Sequence, residues 1–200
     1  MGSEMCIRDR EDIQAYCAGY KTFLDEGKTE RECVDYAIGL AEAAGFRPLV
    51  RGEKLRPGDK VYRNNRGKSL LLAVIGQESL NQGAVIGAAH IDSPRLDLKQ
   101  NPLYEDTDLA YLDTHYYGGV KKYQWVTLPL AMHGVVAKKD GSIVEISIGE
   151  DAEDPVLYIT DLLIHLSGKQ LQKKAAEVIE GEMLDILIGS RPLAELPDDS

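Results

Sequence analysis

A histidine and an aspartate stand two residues apart in the segment Ala88-Ala89-His90-Ile91-Asp92-Ser93-Pro94, directly after an apolar run. Neutral imidazole binds zinc through one ring nitrogen, and a carboxylate that accepts the other ring N–H fixes the tautomer and raises the basicity of the ligand. The pair therefore predicts a metal ligand, His90, with Asp92 as the catalytic-site carboxylate that orients it. A His-x-Asp pair is also typical of a hydrogen-bonded loop without metal, and the three residues alone do not separate these interpretations.

The apolar run before the histidine, residues 84–89, predicts a buried strand. Alternation along a strand places His90 and Asp92 on the same side, where the strand passes into its loop. Ligands of open α/β sheets bind at this carboxyl edge. The sequence thus predicts a site where a central strand leaves its sheet.

The segment from His90 to Leu103, followed by Thr114-His115-Tyr116-Tyr117-Gly118-Gly119 and a stretch that ends at Trp125, resembles the M18 family of metalloaminopeptidases. These are aspartyl-aminopeptidase-like enzymes, and the resemblance points to the bacterial, clostridial-type members. It implies a pair of zinc ions, with His90 as a ligand, Asp92 as the aspartate that orients it, and peptides as substrates. It also implies an α/β fold: the N-terminal part of an α/β/α zinc-peptidase domain, with an inserted β-rich domain through which subunits assemble into a homo-oligomer.

This resemblance sets expectations for the organisation of the chain. Residues 1–10 show no helical or strand period and resemble translated sequencing-adapter read-through, so we expect an artefactual leader. Residues 11–100 are expected to form the N-terminal part of the catalytic α/β domain, and residues 101–200 part of the inserted domain, which starts near Asn101. The family's bridging Asp, Glu-Glu pair and final His are expected beyond Ser200. We therefore expect an N-terminal fragment of an aminopeptidase, inactive by itself.

Periodicity and turn residues predict the individual elements. A stripe that contains Ile13, Tyr16, Tyr20 and Leu24 predicts a helix ended by Gly27, with the tyrosines in core or boundary packing. Thr29 with Glu32 fits the capping box of a second helix that stops at Gly45. Hairpins are predicted from residues 60–63 into a buried strand at 69–75, and between residues 128–137 and 143–148. Short helices are predicted at residues 160–166 and 170–180.

Composition indicates a cytoplasmic protein. Lys and Arg number 23 and Asp and Glu 33, which gives 23 − 33 = −10, and this acidity disfavours nucleic acid and anionic lipid as partners. The longest strictly apolar run, residues 70–75, is far too short to span a membrane. An odd number of cysteines, 3, without a Cys-x-x-Cys pair favours free thiols in a reducing compartment.

The sequence predicts the roles of the other three histidines less specifically. His115, beside two tyrosines and two glycines, is assigned either a substrate or intersubunit role or a buried hydrogen-bonded one, and His133 and His165 are assigned structural roles in a strand and a helix. Many family members carry a Trp-x-Asp-Arg-Asp-like stretch, whereas this chain continues from Trp125 with Val-Thr-Leu-Pro. We therefore predict an aminopeptidase without specifying its preferred residue. The alternative is a non-catalytic β-rich assembly module in which His90 and Asp92 are merely hydrogen-bonded.

Overall fold

The chain divides into two compact units, and the division falls between Ser93 and Pro94. The computed structural model describes residues 2–191. The first unit combines helices with a sheet and the second is β-rich, so the predicted α/β class with a β-rich second part is confirmed. One strand spans Arg95 to Asp106, across the predicted start of the inserted domain near Asn101, and its pairing shifts register between Leu98 and Leu103.

Two helices open the first unit, α1 (Gly2–Glu26) and α2 (Glu30–Ala43). The predicted capping box is confirmed: Thr29 donates its backbone N–H to the Glu32 carboxylate at 2.7 Å, and its side chain accepts from the Glu32 N–H. Phe23 of α1 packs edge-on against Tyr36 of α2, with ring centroids 5.7 Å apart. Helix α1 includes residues 2–10, where no helical period was predicted, because a helix once formed propagates with one hydrogen bond per added residue and needs no apolar stripe.

The tyrosines of α1 do not pack as predicted. Tyr16 is 77% exposed and Tyr20 is 52% exposed, and Ile13 and Leu24 on the same stripe are also exposed. The prediction of core or boundary packing was therefore wrong for these tyrosines, and Phe23 makes the ring contact of α1 with α2 instead.

A three-stranded sheet completes the first unit, in the order β1 (Arg47–Pro48), β2 (Lys60–Asn65) and β3 (Ser69–Val74). Strand β1 runs parallel to β2, and β2 forms the predicted hairpin with β3. Val61 of β2 and Val34 of α2 are fully buried. Strand β3 was predicted to be buried, but Leu71 and Val74, on opposite faces of the strand, are 60% and 61% exposed, so the prediction was wrong for these side chains.

The second unit is built on a long antiparallel pair, β4 (Arg95–Asp106) and β5 (Leu109–Tyr117), with β8 (Ile186–Gly189) beside β5. The predicted second hairpin is confirmed as β6 (Met132–Ala137) and β7 (Ile143–Ile148). The core of this unit is formed by four buried apolar side chains: Leu157, Ile159, Leu184 and Ile186. Next to them the hydroxyl of the buried Thr114 donates to the carbonyl of Leu184.

The helices predicted at residues 160–166 and 170–180 are absent, and turns with one short 3-10 helix, Gln170–Gln172, take their place. The apolar spacing there was mistaken for a helical face; Leu163 and Ile164 are 71% and 67% exposed, so no packing surface stabilises a helix. Within residues 2–191, no helix combines the length and the apolar character that crossing a membrane requires.

Candidate metal site

His90 and Asp92 lie against each other, as the sequence predicted. The Nδ1 atom of His90 is 3.2 Å from Oδ1 of Asp92 and 3.0 Å from the backbone oxygen of the same residue. The His90 side chain is 85% exposed, whereas that of Asp92 is 38% exposed. One ring nitrogen is thus held by two oxygens of Asp92, and the other, Nε2, is left for a ligand from solvent.

The backbone that carries this pair differs from the prediction. Residues 84–89 form no strand, and Val85 and Ile86 are 103% and 84% exposed. A strand forms only where a neighbour satisfies its backbone groups, and no described strand of the first unit lies beside this segment. The prediction of a buried strand was therefore wrong in this chain, and the pair is oriented by its own local hydrogen bond instead of by a sheet edge.

The pair fits one zinc ligand with its orienting carboxylate, but it does not form a complete site. Catalytic zinc sites use three protein ligands, whereas no group of three His, Cys, Asp or Glu side chains in residues 2–191 is placed to hold a metal ion. The described residues therefore present one His–Asp pair and no complete metal site.

The remaining histidines lie apart from any such group. His115 is not buried: its side chain is 60% exposed, with Nδ1 3.4 Å from a Glu182 oxygen and the ring stacked on Tyr116. His133 lies in strand β6, where Nε2 is 2.8 Å from Glu150. His165 is exposed and lies in a turn, so its predicted helical context is wrong.

Sequence reasoning missed the partner of His115, the carboxylate of Glu182. The Lys99 ammonium lies 3.1 Å from this carboxylate and 2.8 Å from the carboxylate of Asp113. The Lys99 ammonium, and secondarily His115, hold the pKa of Glu182 below its ordinary value. Glu182 is 83 residues from Lys99 along the chain, so no local signal could have predicted the pairing.

Comparison with known proteins places these features in a family. A model of the family described as Aminopeptidase I zinc metalloprotease (M18) matches residues 23–198. A probable M18 family aminopeptidase 1 from Clostridium acetobutylicum is 62% identical over 193 residues, covering 94% of this chain and 42% of that protein.

Solved structures agree with this match. The crystal structure of an M18 family aminopeptidase from Thermotoga maritima superimposes with a TM-score of 0.85 at 42% identity, over 94% of this chain and 41% of that chain. Aminopeptidase I from Borrelia burgdorferi gives a TM-score of 0.80 at 38% identity, over 96% and 43%. The chain thus spans about two fifths of the length of the relatives it matches, and by sequence and by fold it belongs to the M18 family of zinc metallopeptidases.

Proposed function

We propose that the whole protein is a zinc-dependent aminopeptidase that hydrolyses N-terminal residues from peptides, with His90 as a zinc ligand and Asp92 as the carboxylate that orients it. Family membership supports the reaction class. The observation that carries the assignment of residues is the contact of Asp92 with Nδ1 of His90, at 3.2 Å, beside an exposed ring. The exposure of the ring leaves its Nε2 atom accessible to a metal ion.

Each residue of the pair has a distinct task in this proposal. Asp92 accepts the Nδ1 proton of His90, so the lone pair of the neutral ring lies on Nε2, where a metal binds. The zinc, when bound, polarises the scissile carbonyl and makes water a better nucleophile at neutral pH. We propose two zinc ions per subunit, and we place the remaining ligands and the proton-accepting glutamate outside residues 2–191, since no three His, Cys, Asp or Glu side chains in this range are grouped to hold a metal ion.

We further propose that the β-rich second unit serves subunit assembly in a homo-oligomer. Four apolar side chains between Asp161 and Ser167 support this role, because they are at least half exposed: Leu162, Leu163, Ile164 and Leu166. Exposed apolar patches of this kind mark interaction surfaces. A cytoplasmic location is supported by the free thiols of Cys17 and Cys33.

The decisive experiment uses the protein expressed from the complete gene. Replacing His90 with Ala removes a direct zinc bond, so we expect zinc content by elemental analysis and hydrolysis of aminoacyl-anilides to be lost together. Asp35→Asn, at an exposed position of α2, serves as the matched control and should keep both. Full activity of His90→Ala at ordinary zinc would refute the assignment of the ligand.

The 200-residue chain by itself should show no peptidase activity, because one histidine does not hold catalytic zinc at neutral pH. It should also self-associate, since Leu71, Val85 and Ile86 are left exposed. Size-exclusion chromatography and an anilide assay with added zinc measure both. A monodisperse, inactive monomer with a sharp melt would favour the alternative, a self-sufficient assembly module.

A further inference from the structure

We propose a binding site for a small organic anion in the first unit, at the edge of strand β2. A cavity of about 500 Å³ lies there. Its apolar lining comes from α2 and the β1 region, namely Ile38, Pro48 and Leu49, and its polar lining includes Arg51, Arg63 and Asn64. Small-molecule sites have this character, a mostly apolar cavity of roughly 300–1,000 Å³ with a few convergent polar groups.

The cavity exists because strand β1 is short. It ends at Pro48, and the last contact along this edge is the Leu49 N–H, which donates to the Tyr62 carbonyl at 2.8 Å. Backbone groups alternate in direction along a strand, so Asn64, two residues after Tyr62, directs its N–H to the same edge of β2 as Tyr62 does. No described strand of the first unit continues along that edge beside Asn64. An open backbone donor thus faces the space that β1 leaves.

Two cationic side chains, Arg51 and Arg63, line this space. A turn closed by the Glu53 N–H on the Val50 carbonyl carries Arg51, and Arg63 follows Tyr62 on β2. Arg47 nearby is neutralised by Glu53 at 2.9 Å, whereas Arg51 and Arg63 form no ion pair with the described residues.

Two guanidinium groups line this one cavity, although the chain as a whole has a net charge of −10. Each guanidinium is always charged, and its planar fork of donors matches the geometry of carboxylate and phosphate groups. The site therefore favours an anionic group of either kind.

The floor of the cavity accepts an apolar body beside that charge. The hydroxyl of Tyr62 donates to Glu42 at 2.7 Å, so this polar group of the lining is already paired within the protein. The ligand class is accordingly a carboxylate or phosphate attached to an apolar group. The site contains neither His90 nor Asp92, so a test of this site is independent of the proposed peptidase function.

Titration calorimetry on the whole protein tests the site, with metal removed so that anions do not bind zinc. The probes are phenyl phosphate, N-benzoylglycine and neutral benzyl alcohol. We expect both anions to bind, with the tighter one identifying the preferred acidic group, and the alcohol to bind much more weakly. Binding of the anions should weaken as salt is raised, because charge attraction is screened.

The arginine variants locate the binding. Arg51→Gln and Arg63→Gln should each raise the Kd of the better anion by about tenfold, as expected for a lost charge-assisted hydrogen bond. Arg56→Gln, exposed in the same unit but outside the cavity, is the matched control and should bind like the parent. Thermal melts verify that all three variants fold. Unchanged affinity in both cavity variants, equal binding of alcohol and anions, or no anion binding at all would overturn the proposal.

Discussion

Replacing Asp92 separates the charge of this residue from its backbone contact with His90. The Nδ1 atom of His90 is 3.2 Å from the Asp92 carboxylate and 3.0 Å from the Asp92 backbone oxygen. Asp92→Asn deletes the charge but keeps both oxygen acceptors, so the ring retains its tautomer and loses only basicity. Loss of an orienting partner typically weakens metal binding by roughly 10- to 100-fold. Because the backbone acceptor remains, we expect the lower end of this range, about tenfold or about 1.4 kcal/mol.

Asp92→Ala removes the side-chain acceptor as well and should weaken zinc binding further, yet less than His90→Ala. The assay is competition with a chromogenic chelator, using the whole protein, combined with activity at increasing zinc. The Asn variant should regain part of its activity in excess zinc, and His90→Ala much less. Wild-type zinc affinity in Asp92→Asn would refute the reasoning, as would an Asp92→Ala variant that loses zinc as completely as His90→Ala.

Three further predictions concern stability. Thr29→Ala removes a helix cap and should lower the unfolding free energy by about 1 kcal/mol in urea titrations, whereas Thr29→Ser should not. Thr114→Val leaves the buried Leu184 carbonyl without its donor and should cost about 1–3 kcal/mol in the same measurement. The pKa of Glu182 is lowered in the folded state, chiefly by Lys99, so its stabilising contribution is present above the ordinary carboxyl pKa and is lost as pH falls through the lowered value. Glu182→Gln should therefore flatten the acid limb of a melting-temperature profile below about pH 4.5, and an unchanged acid limb would contradict this coupling.

Elements with strong local signals could be predicted from the sequence. The capping box at Thr29 and the hairpin between β6 and β7 depend on residues only a few positions apart, so their physics is contained in a short window. The helices predicted at residues 160–180 failed because an apolar period stabilises a helix only where a surface receives it. The same holds for residues 84–89, whose strand needs a neighbour that the described residues do not provide.

The sequence by itself determined the residue types of the candidate site and the family to which the chain belongs, because a His-x-Asp pair and its flanking motif are local patterns. Only the tertiary structure decided what surrounds them. It showed that Asp92 contacts His90 through two oxygens, and that Glu182 joins Lys99 and His115 from the far end of the second unit. It also placed Arg51 and Arg63 at one cavity, where neither forms an ion pair with the residues that the structure describes. Such contacts depend on how strands pair and where they end, and those long-range choices are made by packing and backbone hydrogen bonding rather than by neighbouring residues.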